Sequence, residues 1–105
     1  MNRFPKLFST MKLGPFVLRN RIESAPMGVH GTSEGYITPE GTAYYELRAK
    51  GGAAIVTLGE SMVDSKGTSH GRVTPLDDPG ILPSLIYTTD AIKRHGAVAS
   101  IELLH

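Results

Sequence analysis

The stretch that decides the fold is TPEGTAYYELRAKGGAAIVTL, residues 38–58. Its first half carries the signals of a helix start, because Thr38 can cap a first turn and Pro39 suits the first helical position. The glycine pair at 51–52 favours a helix end. The apolar run 53–58 follows at once, as is typical of a strand covered on both faces. The stretch therefore predicts a helix that leads directly into a buried parallel strand.

Hydrophobic spacing predicts which helix faces are buried. In the first helix, Tyr44, Leu47 and Ala43 form the expected inner stripe. A second helix is expected over residues 82–95, and Gly96 favours its end. The expected inner positions of this second helix are Leu85, Ile86, Ala91 and Ile92.

The rest of the chain supplies further strands. Residues 11–19 contain two short strand-like pieces around a Gly-Pro pair, which predicts a hairpin. Residues 21–25 predict a short strand that Pro26 ends, since proline cannot donate to a ladder. Residues 59–80 predict a long loop of the kind that is often functional. Residues 97–104 predict a last buried strand, and the order is hairpin, β, α, β, α, β.

Strands that alternate with helices predict an α/β fold with a parallel sheet and right-handed crossovers. Both a doubly wound sheet and a TIM (β/α)₈ barrel have this order of elements. A preceding hairpin, which could close the bottom of a barrel, and the long loop after the second strand favour the barrel. A whole barrel needs about 250 residues. We therefore expect residues 1–105 to be the incomplete N-terminal portion of one barrel domain, with about three strands and two helices.

Composition excludes several classes of protein. Eleven basic and 10 acidic side chains leave a net charge of +1, too even for a nucleic-acid or anionic-membrane partner. The absence of cysteine excludes disulfides and thiolate ligands in this sequence. The sequence lacks an apolar segment long enough to predict a signal peptide or a membrane span. A cytoplasmic protein is therefore expected. Four basic residues near the start predict a solvated face: Lys6, Lys12, Arg19 and Arg21.

The three strand ends of the predicted barrel carry the residues of chemical interest. Active sites of such barrels lie where the strands end. The first end is Ala-Pro-Met-Gly at 25–28, with a polarisable sulfur, the second has Gly59, and the third has Glu102. Together they predict a shallow surface of small residues with a carboxylate at its rim. A planar aromatic ring with hydrogen-bonding edges would fit such a surface.

Three motifs in order across essentially the whole chain carry a family resemblance: LRNRIESAPM, GYITPEGTAYYELRAKGGAAIVTLGE and ASIELLH. They resemble the opening of the Old Yellow Enzyme family of FMN-dependent ene-reductases, above all its 2,4-dienoyl-CoA reductase and bile-acid enoate reductase branch. The resemblance implies FMN as cofactor, NADH or NADPH as reductant, and an enone or enoyl compound whose activated C=C bond is reduced. Longer relatives also carry an iron–sulfur cluster and FAD in a C-terminal extension. The resemblance leaves open both a parent protein with this extension and one without it.

The resemblance implies roles for particular residues. Gly59, or Leu58 if the register slips by one, would lie near the flavin ring at the end of the second strand. Glu102 stands where the family commonly has a glutamine that reaches the pyrimidine side of the flavin. An ionised Glu102 can only accept hydrogen bonds, whereas a carboxyl kept protonated by burial could also donate. Three further residues would line the flavin at the end of the first strand: Ala25, Pro26 and Met27.

Other positions depart from the family pattern or stay without a role. One branch has a flavin-tuning cysteine at the position of Gly28, so that function is absent here. His30 is a candidate substrate contact, and no catalytic residue or metal ligand is assigned. Three tyrosines are interpreted as structural: Tyr36, Tyr44 and Tyr45.

In the family, the groups that hold the substrate carbonyl and the FMN phosphate come from later strands. The isolated chain is therefore expected to be inactive and to bind FMN weakly or not at all. An open sheet of about three strands also exposes strand edges and apolar faces. A self-associating, non-catalytic partial barrel is thus the alternative from another functional class. An aldolase-type barrel is a third hypothesis, disfavoured because Lys50 and Lys93 fall on helices rather than at strand ends.

Overall fold

A computed structural model describes residues 3–29, 34–67 and 73–105. The chain opens with an antiparallel hairpin, as predicted, in which Gly14 takes a φ of 56° that favours glycine. In chain order the elements are β1 (Met11–Leu13), β2 (Phe16–Leu18), β3 (Glu23–Met27), α1 (Pro39–Lys50), β4 (Ile55–Met62), β5 (Thr74–Pro75), α2 (Leu82–Lys93) and β6 (Val98–Leu104).

Strand β4 lies at the centre of a parallel sheet. It pairs with β3 on one side and with β6 on the other, so that Leu58 is opposite both Met27 and Ile101. The two-residue strand β5 pairs with Ser61 and Met62 at the far end of β4. The predicted succession of parallel strands joined by helices is confirmed.

Two strand boundaries differ from the prediction. Strand β3 does not stop before Pro26 but continues to Met27. The proline is tolerated because the β3–β4 register is irregular between Ser24 and Met27, where a missing amide donor costs least. Strand β4 runs to Met62 rather than ending at 58, because its last residues pair with β6. The predicted 59–80 loop was therefore wrong at its start.

Helix α1 begins and ends as predicted. The Thr38 side chain accepts a hydrogen bond from the Gly41 amide at 3.1 Å. Its buried face, however, differs from the expected stripe, because Leu47 is 60% exposed and Ala43 is exposed as well. The residues that α1 does bury are Gly41, Thr42, Tyr45 and Ala49.

Helix α2 shows the same kind of difference. Ala91 and Ile92 are buried as predicted, but Ile86 is 58% exposed. Thr88 is buried instead, and its hydroxyl lies 2.8 Å from that of Thr42 on α1. Small residues and paired hydroxyls thus form the helix–helix contact. Both helices have 12 residues, and nothing helical within the described ranges has the length and apolarity needed to span a membrane.

The core lies between the two helices and the sheet. It is built from Ile37, Tyr45, Ala49, Ala53, Val56, Leu58, Ile92 and Ala97. This packing holds β3, β4 and β6 side by side, so their carboxyl ends share one edge of the sheet.

Arg19 ties the opposite end of the fold together, which the interpretation as a solvated face did not anticipate. Its guanidinium donates to the carbonyl of Ala49 at 2.7 Å and to that of Ala53 at 2.8 Å. It also donates to the carbonyl of His95, just after α2. A cation at the carboxyl ends of two helices complements their dipoles.

Candidate functional site

The carboxyl ends of β3, β4 and β6 meet at one edge of the sheet, which we call the strand-end edge. It comprises residues 25–28 of the first end, 59–60 of the second and 102 of the third. The pairing of Met27 with Leu58, and of Leu58 with Ile101, places these ends side by side. The structure thus brings together all the residues predicted for cofactor binding: Ala25, Pro26, Met27, Gly59 and Glu102.

Gly59 is buried in close contact with the main chain of β3. A Cβ atom at this position would lie 2.7 Å from both the N and the carbonyl C of Met27, and 2.8 Å from the amide N of Gly28. Such distances are far below ordinary van der Waals contact. Glycine is therefore required for the two strand ends to approach this closely.

The Tyr45 side chain joins the same two strand ends from below. Its hydroxyl donates to the carbonyl of Met27 at 2.6 Å, and the Gly59 amide donates to the hydroxyl oxygen at 3.4 Å. The residue is 2% exposed, and burial raises the pKa of Tyr45 above its ordinary value. The hydroxyl therefore stays protonated and able to donate throughout the physiological pH range.

Strand β4 bulges at the strand-end edge. Leu58 pairs with Ile101 and Ser61 with Leu103, so β4 has one residue more than β6 over this interval. Within the bulge Glu60 has a φ of 49°, a left-handed conformation that is uncommon for residues other than glycine. Bulges frequently lie beside functional sites, where they redirect a side chain.

Glu102 supports this bulge. Its Oε1 atom accepts a hydrogen bond from the Glu60 amide at 3.2 Å. Sequence reasoning expected this carboxylate to face a cofactor and did not anticipate a partner inside the chain. The Glu102 residue is exposed at the surface of the strand-end edge. That the second carboxylate oxygen of Glu102 contacts a ligand stays a prediction.

The surface of the strand-end edge is apolar on one side and acidic on the other. Ala25, Pro26 and Met27 are exposed, and Met27 is 55% exposed. Gly28 has no side chain where a Cβ would lie 3.3 Å from Oε2 of Glu60. A flat apolar group could lie against the first three residues with polar atoms directed toward the carboxylates.

A second contact joins the segment between β3 and α1 to the segment between β5 and α2. The Tyr36 hydroxyl donates to Oδ2 of Asp78, and Oδ1 of the same carboxylate accepts from the Gly80 amide at 2.9 Å. The hydrogen bond with Asp78 raises the pKa of Tyr36 and lowers the pKa of Asp78. Tyr36 thus has the structural role expected for it. The candidate substrate contact His30 lies outside the described residues.

Sequence reasoning missed the position of Tyr45 at the strand-end edge, although it assigned that residue a structural role. A signal was available, since Gly41, Tyr45 and Ala49 recur every four residues and small residues favour close helix packing. Across residues 3–29, 34–67 and 73–105 there is no cluster of three or more histidine or acidic side chains that could hold a metal ion.

Comparison with known proteins shows the family. Residues 6–105 match the model of the NADH:flavin oxidoreductase / NADH oxidase family. A metal reductase from Desulforamulus reducens is 37% identical over 91 residues, which is 87% of this chain and 14% of that protein. The chain therefore spans a small part of the length of this curated relative.

Solved structures agree with this assignment. A 2-naphthoyl-CoA reductase, in complex with 2-naphthoyl-CoA, has a TM-score of 0.89 and 27% identity over 97% of this chain and 16% of its own. The old yellow enzyme from Trypanosoma cruzi has a TM-score of 0.87 and 27% identity over 99% of this chain and 28% of its own. Both likenesses confirm the predicted (β/α)₈-barrel class, of which these strands and helices form a part. The chain belongs to the NADH:flavin oxidoreductase / NADH oxidase family, as its resemblance to the Old Yellow Enzymes predicted.

Proposed function

We propose that residues 1–105 are the opening portion of a single FMN-binding (β/α)₈ barrel that reduces activated C=C bonds with NADH or NADPH. The observation that carries the proposal is the meeting of Met27, Gly59 and Glu102 at one edge of the sheet. The family membership supports flavin oxidoreduction. The 2-naphthoyl-CoA complex of a solved relative supports a conjugated acyl thioester or enone as substrate class.

The residues at the strand-end edge fit the ring portion of FMN. An exposed apolar surface is formed by Ala25, Pro26 and Met27. Beside it, Gly59 has no side chain, so the main chain of β3 lies directly against the main chain of β4. The carboxylate of Glu102 offers an acceptor for a ring N–H group. Bound FMN would supply two-electron chemistry between the nicotinamide and the alkene.

The chain's own groups act by positioning and by charge. The apolar surface at 25–27 excludes water from one side of a bound ring, and Tyr45 holds the two main chains beneath it. Glu102 places negative charge at the rim, which opposes the accumulation of negative charge on a neighbouring ligand. These residues provide no phosphate clamp, which we assign to later strands of the barrel. The iron–sulfur and FAD extension, and a cytoplasmic location, stay predictions.

The proposal is tested on the complete protein expressed from the reading frame that contains these residues. We expect it to purify with FMN and to oxidise NADH or NADPH in the presence of an enone or an enoyl-CoA thioester. Anaerobic assays with product analysis distinguish alkene reduction from oxidase activity. A protein that neither retains nor takes up FMN would overturn the flavin assignment, and one that binds FMN but reduces no alkene would overturn the substrate class.

The isolated 105-residue chain should behave differently from the complete protein. We expect no tight FMN binding, because the strand-end edge would contact the ring and leave the phosphate unbound. Titration with FMN, followed by flavin fluorescence, checks this expectation. Stoichiometric tight binding of FMN by this chain would contradict it.

The same sample tests the alternative of a self-associating partial barrel. Leu103 on β6 is 64% exposed, and α2 presents Ile86 and Tyr87, each 58% exposed. Apolar surface of this kind favours association between copies. We therefore expect size-exclusion chromatography of the isolated chain to show oligomers that dissociate on dilution. A stable monomer at high concentration would rule this alternative out.

Replacing Glu102 by glutamine should make bound FMN easier to reduce. Glutamine keeps an oxygen that can accept from the Glu60 amide, so the bulge is retained, but it removes a negative charge and adds N–H donors. We expect the midpoint potential of FMN in the complete protein to rise by about 30 mV or more, equivalent to a tenfold change for a two-electron couple.

Glu46→Gln serves as the matched control for this charge change. Glu46 lies on α1, paired with Nε2 of His95 at 2.9 Å, away from the strand-end edge. Spectroelectrochemical titration should show the potential of this variant unchanged. An unchanged potential in Glu102→Gln would show that Glu102 does not act on the flavin, and a lower potential would show that its negative charge does not oppose reduction.

A further inference from the structure

The Tyr45 hydroxyl occupies an unusual position within the sheet. Neighbouring parallel strands normally bond backbone to backbone. At the end of the β3–β4 pair, the Met27 carbonyl accepts a hydrogen bond from a side-chain hydroxyl of α1, at 2.6 Å. The Gly59 amide donates to the same hydroxyl oxygen. The Tyr45 hydroxyl therefore connects the ends of β3 and β4.

The surroundings leave this bridge little freedom. Tyr45 is 2% exposed, and its ring packs edge-on against Tyr44 with centroids 5.5 Å apart. On the other side of the bridge, the main chains of Met27 and Gly59 are already so close that a Cβ at 59 cannot fit. A displacement of the hydroxyl would therefore move the Met27 carbonyl or the Gly59 amide with it.

We infer that Tyr45 is a positioning residue for the strand-end edge: its bridging hydroxyl sets how the main chains at 27 and 59 are presented to a bound flavin. The inference deepens the proposed function and rests on it. Tyr45 is not itself placed in contact with the ligand. It acts through Met27 and Gly59, from the side of the sheet that faces the helices.

Tyr45→Phe tests the inference because it removes the hydroxyl and keeps the ring that packs in the core. Tyr44→Phe is the matched control, since its ring is partly exposed and Arg48 lies 3.6 Å over its centroid. In the complete protein we expect the Kd for FMN to rise about tenfold in Tyr45→Phe, as the loss of a buried hydrogen-bonding partner would give. We also expect a shifted visible spectrum of the bound flavin, whereas Tyr44→Phe should match the parent protein in both.

A second measurement uses the ligand-free protein. Amide hydrogen exchange at Gly59 should be at least about tenfold faster in Tyr45→Phe than in Tyr44→Phe, because the Gly59 amide loses its acceptor. Circular dichroism should show equal helix content in the two variants. If Tyr45 acted only on overall stability, Tyr45→Phe would lower the free energy of unfolding and leave the flavin spectrum unchanged. The exchange rate at Gly59, relative to those of the other amides, would then also be unchanged.

The outcomes separate the inference from the proposed function. Equal FMN affinity, equal flavin spectra and equal Gly59 exchange in the two variants would overturn the positioning role. A parent protein that binds no FMN would overturn the proposed function instead. In that case faster Gly59 exchange in Tyr45→Phe would still support the bridge as the device that positions the strand ends, and unchanged exchange would overturn it.

Discussion

Replacing Gly59 by alanine is expected to lower the free energy of unfolding by about 2–3 kcal/mol, the upper part of the range found for overpacked interiors. The reason is geometric, since the added Cβ would lie 2.7 Å from main-chain atoms of Met27. Main chain cannot turn aside as a flexible side chain can, so β3 and β4 must separate. The same separation should abolish FMN binding by the complete protein. Urea unfolding followed by circular dichroism, together with flavin content, measures both effects.

Gly28→Ala is the matched control for stability. A Cβ at this neighbouring glycine would meet the end of the Glu60 side chain, with Oε2 at 3.3 Å, and that side chain can move. We expect a change in unfolding free energy below about 0.5 kcal/mol, as for ordinary surface substitutions. If Gly59→Ala were as stable as Gly28→Ala and retained FMN, the close approach of the two strand ends would be unimportant.

Arg19→Met is expected to have the second large effect, a loss of about 3 kcal/mol of unfolding free energy. Methionine keeps much of the aliphatic stem but removes the donors to the carbonyls of Ala49, Ala53 and His95. Hydrogen bonds from a charged donor contribute about 1.5–3 kcal/mol each, and exposure of the side chain reduces the sum. Arg19→Lys should recover a minor part, because an ammonium group cannot reproduce the planar array of donors.

Arg21→Met supplies the comparison at equal change of charge. The Arg21 side chain donates to the Ser9 hydroxyl at 3.0 Å in an exposed position. We expect a change below about 0.5 kcal/mol there. Equal denaturation midpoints for Arg19→Met and Arg21→Met would show that the hydrogen bonds of Arg19 to the helix ends do not stabilise the fold.

Local signals were sufficient for the order of the elements and for the start of α1, but not for the ends of β3 and β4. The Gly-Pro turn of the hairpin and the cap at Thr38 are short-range features, and the structure has them where the sequence predicts them. The buried faces of the helices were harder to predict. Leu47 and Ile86 are more apolar than Thr42 and Thr88, yet the threonines are buried, because small side chains let α1 and α2 approach and their hydroxyls satisfy each other.

The candidate site followed the same division. Parallel strands must end at a common edge, so Met27, Gly59 and Glu102 could be grouped from sequence. Their partners could not be. Nothing in the spacing of Glu102 indicates that it accepts from the Glu60 amide, since that contact depends on a bulge in β4. Tyr45 and Arg19 likewise act on backbone groups that are distant in sequence.

By itself the sequence determined the order of elements, the helix cap, the turn glycines and the family, because each depends on neighbouring residues or on motifs in a fixed order. Tertiary structure alone decided which backbone groups are bound by side chains that are distant in sequence. The Tyr45 hydroxyl meets Met27, and the Arg19 guanidinium meets Ala49 and Ala53. Those contacts form because buried carbonyls and amides need hydrogen-bonding partners once the chain has packed. The distances between packed elements cannot be predicted from the local sequence.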